Sequence, residues 1–282
     1  MLFITGATGT VGSRVVHHLK SKAVHFKALT RTPEKLMSDQ TSHMNMTIVT
    51  GDIKDCSTWS DSLSGVETLF LILLDDAEEI LQAARDKGVR NIVFLSSASI
   101  NRSDASYNEN AMKHKKVEEQ IQAYGFRYVY IRAEAFMHNT VYWRDLFRYN
   151  KGTIRLPALE AKLASVHEAD IAEVISEVVA DFDRFSGQVL TLTGANILSQ
   201  RNILTQISRQ LGQSIQLEEQ TIRDFRSYMS KYIAEEYITL RVQDWEYSLK
   251  HKLDVTDTVL TILGREPYTF REWIAEHLGD FQ

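Results

Sequence analysis

Leu2-Phe3-Ile4-Thr5-Gly6-Ala7-Thr8-Gly9-Thr10-Val11-Gly12 is an apolar strand that runs straight into a turn with glycine at three positions, and a helical pattern begins where the turn ends. Gly6 permits a tight turn off the strand, Gly9 lets the backbone approach a pyrophosphate, and Gly12 lets the following helix pack closely on the sheet. The helix N-terminus then presents unpaired N–H groups and the positive end of a dipole to that phosphate. A glycine triplet alone says little; the order strand, turn, helix around it gives it meaning. Gly6, Thr8, Gly9, Thr10, Val11 and Gly12 are therefore the expected dinucleotide cradle.

Short apolar runs read as strands over 2–5, 25–29, 47–49, 68–73, 91–95 and 128–131, and helical patterns lie between them over 11–21, 33–38, 58–63, 77–87 and 109–124. Strands separated by helices of that size imply right-handed βαβ crossovers and a parallel sheet. A continuous run such as Leu69-Phe70-Leu71-Ile72-Leu73-Leu74 suits a sheet with both faces covered. The expected fold is α/β, a doubly wound Rossmann fold. One more αβ unit follows, with a helix over 168–181 and a strand over 189–192, and a helical tail runs over 199–276. Residues 1–135 and 161–194 are read as the dinucleotide-binding domain, and 136–160 with 195–282 as a smaller, mainly helical substrate region and lid. That tail has two conceivable uses, closing the cleft or making a homodimer contact.

The end of the second strand bears on the cofactor. NAD enzymes place an acid about 20 residues after the glycine motif to accept from the ribose 2′-OH. Thr30-Arg31-Thr32 stands there instead, and Arg31 would meet a 2′-phosphate through a charge-assisted, bidentate contact. NADP is therefore expected over NAD. Asp52 is placed to accept from an adenine amino group, with a turn carboxylate as its other reading, and Ile53, Leu73 and Leu74 complete the strand-end positions of the cofactor set.

Composition narrows the function classes. With 44% apolar and 24% charged residues the chain can bury a sizeable core, and a formal charge of −5 without a basic run argues against nucleic acid or an anionic membrane as partner. The longest aliphatic run falls far short of the roughly 20 residues that span a bilayer. A strand feeding directly into the glycine loop leaves no place for a secretory signal, and the single Cys56 can make neither an internal disulfide nor a thiolate metal site, so a cytoplasmic location is expected. His17-His18 point apart on a helix and no His-x-x-x-His occurs, so no metal site is read. No serine sits in a Gly-x-Ser-x-Gly elbow. None of the eleven tyrosines has Lys four residues later, which argues against the Tyr–Lys chemistry of alcohol dehydrogenases and nucleotide-sugar epimerases.

Several stretches resemble the NmrA-like, atypical short-chain dehydrogenase/reductase family: Gly6 to Gly12, Leu29-Thr30-Arg31-Thr32-Pro33-Glu34-Lys35, Gly51-Asp52-Ile53, Leu95-Ser96-Ser97 and His114 to Glu118. Ile131-Arg132-Ala133-Glu134-Ala135-Phe136-Met137-His138-Asn139, His167-Glu168-Ala169-Asp170-Ile171-Ala172, Leu192-Thr193-Gly194 and Leu263-Gly264-Arg265-Glu266-Pro267 extend the likeness over nearly the whole chain. It is similar to the bacterial branch that holds NADPH-dependent quinone reductases, triphenylmethane reductases and azoreductase-like proteins. The resemblance implies an NADPH-dependent oxidoreductase acting on a small aromatic or quinone-like acceptor. A dinucleotide-sensing regulator without chemistry is the alternative, and an epimerase the weaker one. It also implies a nicotinamide-side loop at Ser96 and Ser97, and a functional residue at His114 that contacts the nicotinamide ribose or donates a proton. Glu118, four residues on, would then orient or charge that imidazole. Phe136, Met137, Asn139, Tyr142 and Trp143, with Phe147 nearby, are the expected substrate wall, the aromatic ones suited to stacking a flat ring. The bland reading of the same residues is ordinary packing between the two regions.

Overall fold

The computed structural model describes residues 1–22, 24–37, 45–149 and 152–282. In the first half β1 (Leu2–Ile4), α1 (Gly12–Lys20), β2 (Phe26–Thr30), α2 (Glu34–Met37), β3 (Met46–Thr50) and β4 (Thr68–Leu71) follow one another. The alternation continues through α3 (Glu78–Asp86), β5 (Asn91–Ser97), α4 (Glu109–Ala123) and β6 (Arg127–Ala133). Next come α5 (Arg144–Tyr149), β7 (Thr153–Leu156), β8 (Lys162–Leu163), α6 (Glu168–Ala180), α7 (Phe182–Phe185) and β9 (Val189–Leu192). The tail holds β10 (Leu198–Ser199), α8 (Gln200–Gln210), β11 (Gln216–Glu219), α9 (Ile222–Met229), α10 (Glu235–Lys250), α11 (Thr258–Leu263) and α12 (Phe270–His277).

Seven strands make one sheet in the order β3-β2-β1-β4-β5-β6-β9, and every pairing in it is parallel. Alternate side chains go to opposite faces, as the pleat requires. Leu2, Ile4, Phe26, Ala28, Phe70, Val93, Val129 and Ile131 join α1 and α6 in one buried cluster. Phe3, Leu29, Leu69, Leu71, Ile92, Phe94 and Tyr130 join α3 and α4 in a second. Both faces are covered, which is why the strands read as unbroken apolar runs. The Rossmann-type expectation holds, and the strand order reverses between β1 and β4, where such sheets open a crevice at their carboxyl ends.

A third cluster lies off the sheet. Trp143, Ile154, Leu156, Phe225, Trp245, Trp273 and Phe281 bury one another there, so residues from the 137–161 stretch and from the tail share a core of their own. Parallel pairing of β11 with β7 and antiparallel pairing of β10 with β8 stitch those two stretches together.

Some expected elements differ. The helix expected over 58–63 is a pair of 3₁₀ turns, Cys56–Thr58 and Ser60–Leu63. Short polar side chains win over the backbone ladder here: Ser57 Oγ donates to Asp55 Oδ1 and Thr58 Oγ1 to the Asp55 carbonyl. The tail is not wholly helical, because it contains β11. β4 stops at Leu71, and Ile72 and Leu73 turn out of the sheet toward a cavity. The last residue of the 33–38 helix, Ser38, lies outside the described residues. Among the described residues no helix is long and apolar enough to cross a membrane.

Candidate active site

The glycine turn sits at the carboxyl end of β1, beside the point where strand order reverses. Gly6 adopts a left-handed φ of +64°, and a Cβ placed there would stand 2.9 Å from Ile72 Cδ1. A Cβ on Gly12 would overlap the Gly6 carbonyl oxygen, so the helix can start this close to the strand only with glycine. Gly9 N–H donates to that carbonyl at 2.9 Å and closes the turn. No side chain caps α1, unlike α8 and α12 with their Ser199 and Thr269 capping boxes, and its first turn carries no acid. An open, positively polarised helix end behind a turn without Cβ atoms is what a pyrophosphate needs, and these residues fit one. Thr8 and Thr10 flank the turn, whereas the Val11 side chain is core and leaves only its backbone available.

Arg31 leaves the end of β2 with a side chain 76% exposed, its guanidinium 3.7 Å from Asp52 Oδ2. An exposed pair at that distance binds weakly, so the fork is available to a phosphate. Asp52 Oδ1 accepts from the Lys54 backbone N–H at 3.0 Å, the turn role that was its other reading. Ile53 and Leu74 pack on the second sheet cluster; of the strand-end residues named from sequence, Leu73 reaches the cavity.

That cavity, about 440 Å³, opens over the carboxyl ends of β4, β5 and β6 and is roofed by α9 and α10. Ile72 belongs to both places: it packs under Gly6 and lines the cavity. Ser96, Ser97 and His114, expected on the cofactor side, and Phe136, Asn139, Tyr142 and Trp143, expected as substrate wall, all line it. Met137 and Phe147 do not. Both are buried in the third cluster, Met137 at the start of the 3₁₀ turn over Met137–Trp143 and Phe147 on α5.

His114 differs from the expected proton donor. It is buried against Phe94, and burial pushes its imidazole down to about 4, so the ring is neutral at neutral pH. It can offer an N–H hydrogen bond but not an imidazolium proton. Glu118 does not assist it. Its carboxylate accepts from Ser96 Oγ at 2.6 Å and from the Arg132 fork, Nε at 3.0 Å and Nη2 at 2.6 Å. The Ser96 hydroxyl is thereby engaged within the protein, while Ser97 Oγ shares hydrogen bonds with Ser99 Oγ and Asn110 Nδ2.

The neutral imidazole has a consequence for stability. Between pH 6.5 and about 4 the unfolded chain takes up a proton at His114 and the folded chain does not, so stability falls as pH drops through that window. The full loss is about 3 kcal/mol. Urea unfolding of His114→Gln at pH 7 and 4.5 is expected to lose correspondingly less than wild type on acidification; parallel losses would contradict a buried neutral ring.

A family model described as the NmrA-like family matches residues 1–274. The chain belongs to the NmrA-like family. Among its relatives, the (4-alkanoyl-5-oxo-2,5-dihydrofuran-3-yl)methyl phosphate reductase of Streptomyces griseus is 29% identical over 100% of this chain and 99% of its own length. An NAD(P)H azoreductase of Xenophilus azovorans is 25% identical, again over 100% and 99%. An NADPH-dependent quinone oxidoreductase of Escherichia coli, solved with NADPH, superposes with a TM-score of 0.84 at 22% identity over 98% of this chain and 99% of that one.

Within this NmrA-like chain the cavity holds charges that sequence patterns did not reveal. Arg102 Nη1 donates to Asp244 Oδ1 at 2.6 Å and Nη2 to Glu134 at 3.2 Å, while Arg241 meets the other Asp244 oxygen at 2.8 Å. Arg102 follows β5 and Asp244 lies on α10, 142 residues apart, so no local spacing announces the pair. This network ties the roof helix to the sheet edge. Among the described cavity residues there is no lysine to pair with Tyr142 or Tyr237, consistent with the missing Tyr–Lys motif.

Proposed function

We propose that this chain is an NADPH-dependent reductase that delivers hydride to a flat, electron-poor acceptor of the quinone or dye type. One observation carries the reading: the glycine turn and the aromatic cavity share Ile72 as a common wall, so a dinucleotide held at the turn has its reactive end facing that cavity. Relatives named as azoreductase and quinone oxidoreductase support it. The division into a dinucleotide domain, 1–135 with 161–194, and a substrate region, 136–160 with 195–282, is supported by the separate third core.

NADPH, when bound, supplies the hydride. The chain's own residues hold, select and shelter. Gly6, Gly9 and Gly12 with the open end of α1 hold the pyrophosphate, and Arg31 selects the 2′-phosphate. Phe136, Tyr142 and Trp143 with Phe225 and Ile238 present apolar faces against which a ring lies flat and from which water is excluded. An acceptor already electrophilic needs little acid, which agrees with a cavity whose histidine is neutral. That histidine's N–H is a hydrogen-bond donor for an acceptor oxygen or a ribose hydroxyl.

The test is NADPH oxidation, followed at the nicotinamide absorbance, against quinones, azo dyes and triphenylmethane dyes, with calorimetric NADP(H) binding alongside. Turnover of at least one acceptor class is expected. Tight dinucleotide binding with no turnover across the panel would favour a sensor instead. For Arg31→Ala, the Kd for NADPH is expected to rise by about 10- to 100-fold, the worth of one or two charge-assisted hydrogen bonds, with that for NADH unchanged. Equal losses for both dinucleotides would refute the assignment of Arg31.

A further inference from the structure

His138, Glu168 and His277 come from the 137–143 turn, the first turn of α6 and the end of α12, and they meet away from the cavity. One nitrogen or oxygen from each lies within 4.8 Å of the other two. Glu168 is the buried centre, 1% exposed. Its Oε1 accepts the Trp273 indole N–H at 2.9 Å and faces His277 Nε2 at 3.3 Å and His138 Nδ1 at 3.9 Å. His138 Nδ1, His277 Nε2 and Glu168 Oε2 are all buried atoms without a hydrogen-bond partner. Two orphaned imidazole nitrogens facing one buried carboxylate call for an occupant.

The second nitrogen of His277 identifies its kind. Nδ1 lies 2.8 Å from Asp280 Oδ2, and a carboxylate only accepts, so Nδ1 carries a hydrogen and Nε2 is the nitrogen left to ligate on the Glu168 side. Nε2 forms no hydrogen bond with Glu168, and a cation placed between the two would be held by both. Carboxylate, histidine and cation in a row is how proteins orient metal-binding imidazoles. The charges nearby agree. Glu168, Glu276 and Asp280 bring three negative charges, and Arg14 brings one positive, 3.4 Å from Glu276 and 3.7 Å from Glu168; the surplus is two negative charges, which a divalent ion neutralises. His167, fully buried next to Glu168, accepts at Nδ1 from Ala169 N–H and so directs its own N–H toward Glu276 rather than into the site.

We propose that His138, Glu168 and His277 bind a zinc ion. Two imidazole nitrogens and one carboxylate oxygen are a zinc donor set that leaves the fourth position to water. Zinc–ligand bonds of about 2.0–2.2 Å in a tetrahedron separate donor atoms by about 3.3–3.6 Å; the His277 contact to Glu168 Oε1, 3.3 Å, has that spacing already, and the His138 contact, 3.9 Å, closes to it with a small side-chain shift. The ion ties α12 to the turn whose Phe136 and Asn139 neighbours wall the cavity, so it organises the cavity from behind and takes no part in hydride transfer.

Calorimetric titration of the full chain with zinc chloride, after treatment with and removal of chelator, tests this. One zinc per chain is expected, with a raised Tm and, for cobalt(II) in its place, the visible absorption of a four-coordinate site. His138 is 40% exposed, so His138→Ala should unfold with wild type in chelator while its zinc affinity falls by about 100-fold or more. Asp280→Asn, which removes the carboxylate behind His277, should weaken zinc by about 10-fold. NADPH binding by both variants measured in chelator should match wild type. Absence of stoichiometric binding at micromolar zinc, or binding unchanged in His138→Ala, overturns the site.

Discussion

Glu118→Ala should destabilise the chain by about 3–5 kcal/mol, the range found when one member of a buried ion pair is removed. Glu118 is 4% exposed and both of its oxygens are engaged by the Arg132 fork, with Ser96 Oγ as a third donor. Alanine would leave the guanidinium, largely buried, with only Asn101 Oδ1 as a side-chain partner. The cost comes from that stranded charge more than from the lost attraction, and this separates two explanations of the same number. If the charge is the cause, adding Arg132→Met to a Glu118→Leu change should restore most of the stability, since an apolar pair of similar volume is often neutral. If both variants are equally unstable, the carboxylate's grip on Ser96 and the packing of α4 matter more. The Tm and the urea midpoint are the readouts. Because α4 also carries His114 and Asn110, the single variant should lose cavity order and acceptor affinity along with stability.

The same residue shows where a sequence stops being readable. Glu118 stands one helical turn after His114, and spacing alone makes them partners. The structure turns Glu118 inward to Arg132 and Ser96, contacts 14 and 22 residues away, because a buried carboxylate goes to the strongest donor in reach rather than to its neighbour on the helix. Strands and crossover helices were legible for the opposite reason. Runs such as Leu69-Phe70-Leu71 are set by burial on both faces, a local property of the chain. Ser57, Thr58 and Asp55 broke the one helix that failed, through side-chain bonds that hydrophobic periodicity does not register. Phe136 and Asn139 line the cavity while Met137 between them faces the third core, a difference that residue type does not announce, since a 3₁₀ turn sends successive side chains in different directions. The constellation of His138, Glu168 and His277 escapes any motif because its members are 30 and 109 positions apart and meet only when α12 folds back on α6.

Gly12→Ala is expected to abolish dinucleotide binding at working concentrations, and Gly12 is the sharper probe of the turn than Gly6 or Gly9. The added Cβ would overlap the Gly6 carbonyl oxygen, crowd the Gly6 carbonyl carbon and lie 3.2 Å from Ala7 Cα. All three atoms are backbone, so no rotamer relieves the contact; the start of α1 must lift from the strand. Overpacking of this kind costs about 1–3 kcal/mol. The lift also displaces the very N–H groups that face the phosphates, and at about 1.4 kcal/mol for each tenfold in affinity the upper end of that cost is a loss near 100-fold. The helix itself survives, because Val15, Val16 and Leu19 remain anchored in the sheet cluster, so Tm should fall by far less than binding does. Gly9→Ala provides the graded comparison. Its Cβ would stand 3.3 Å from the Gly6 carbonyl oxygen, close enough to push but not to overlap, and a smaller loss should follow. Calorimetric titration of both variants with NADPH, beside thermal unfolding in its absence, gives the ordering. If Gly12→Ala binds NADPH as wild type does, the phosphates do not sit on this helix end and the turn serves packing alone.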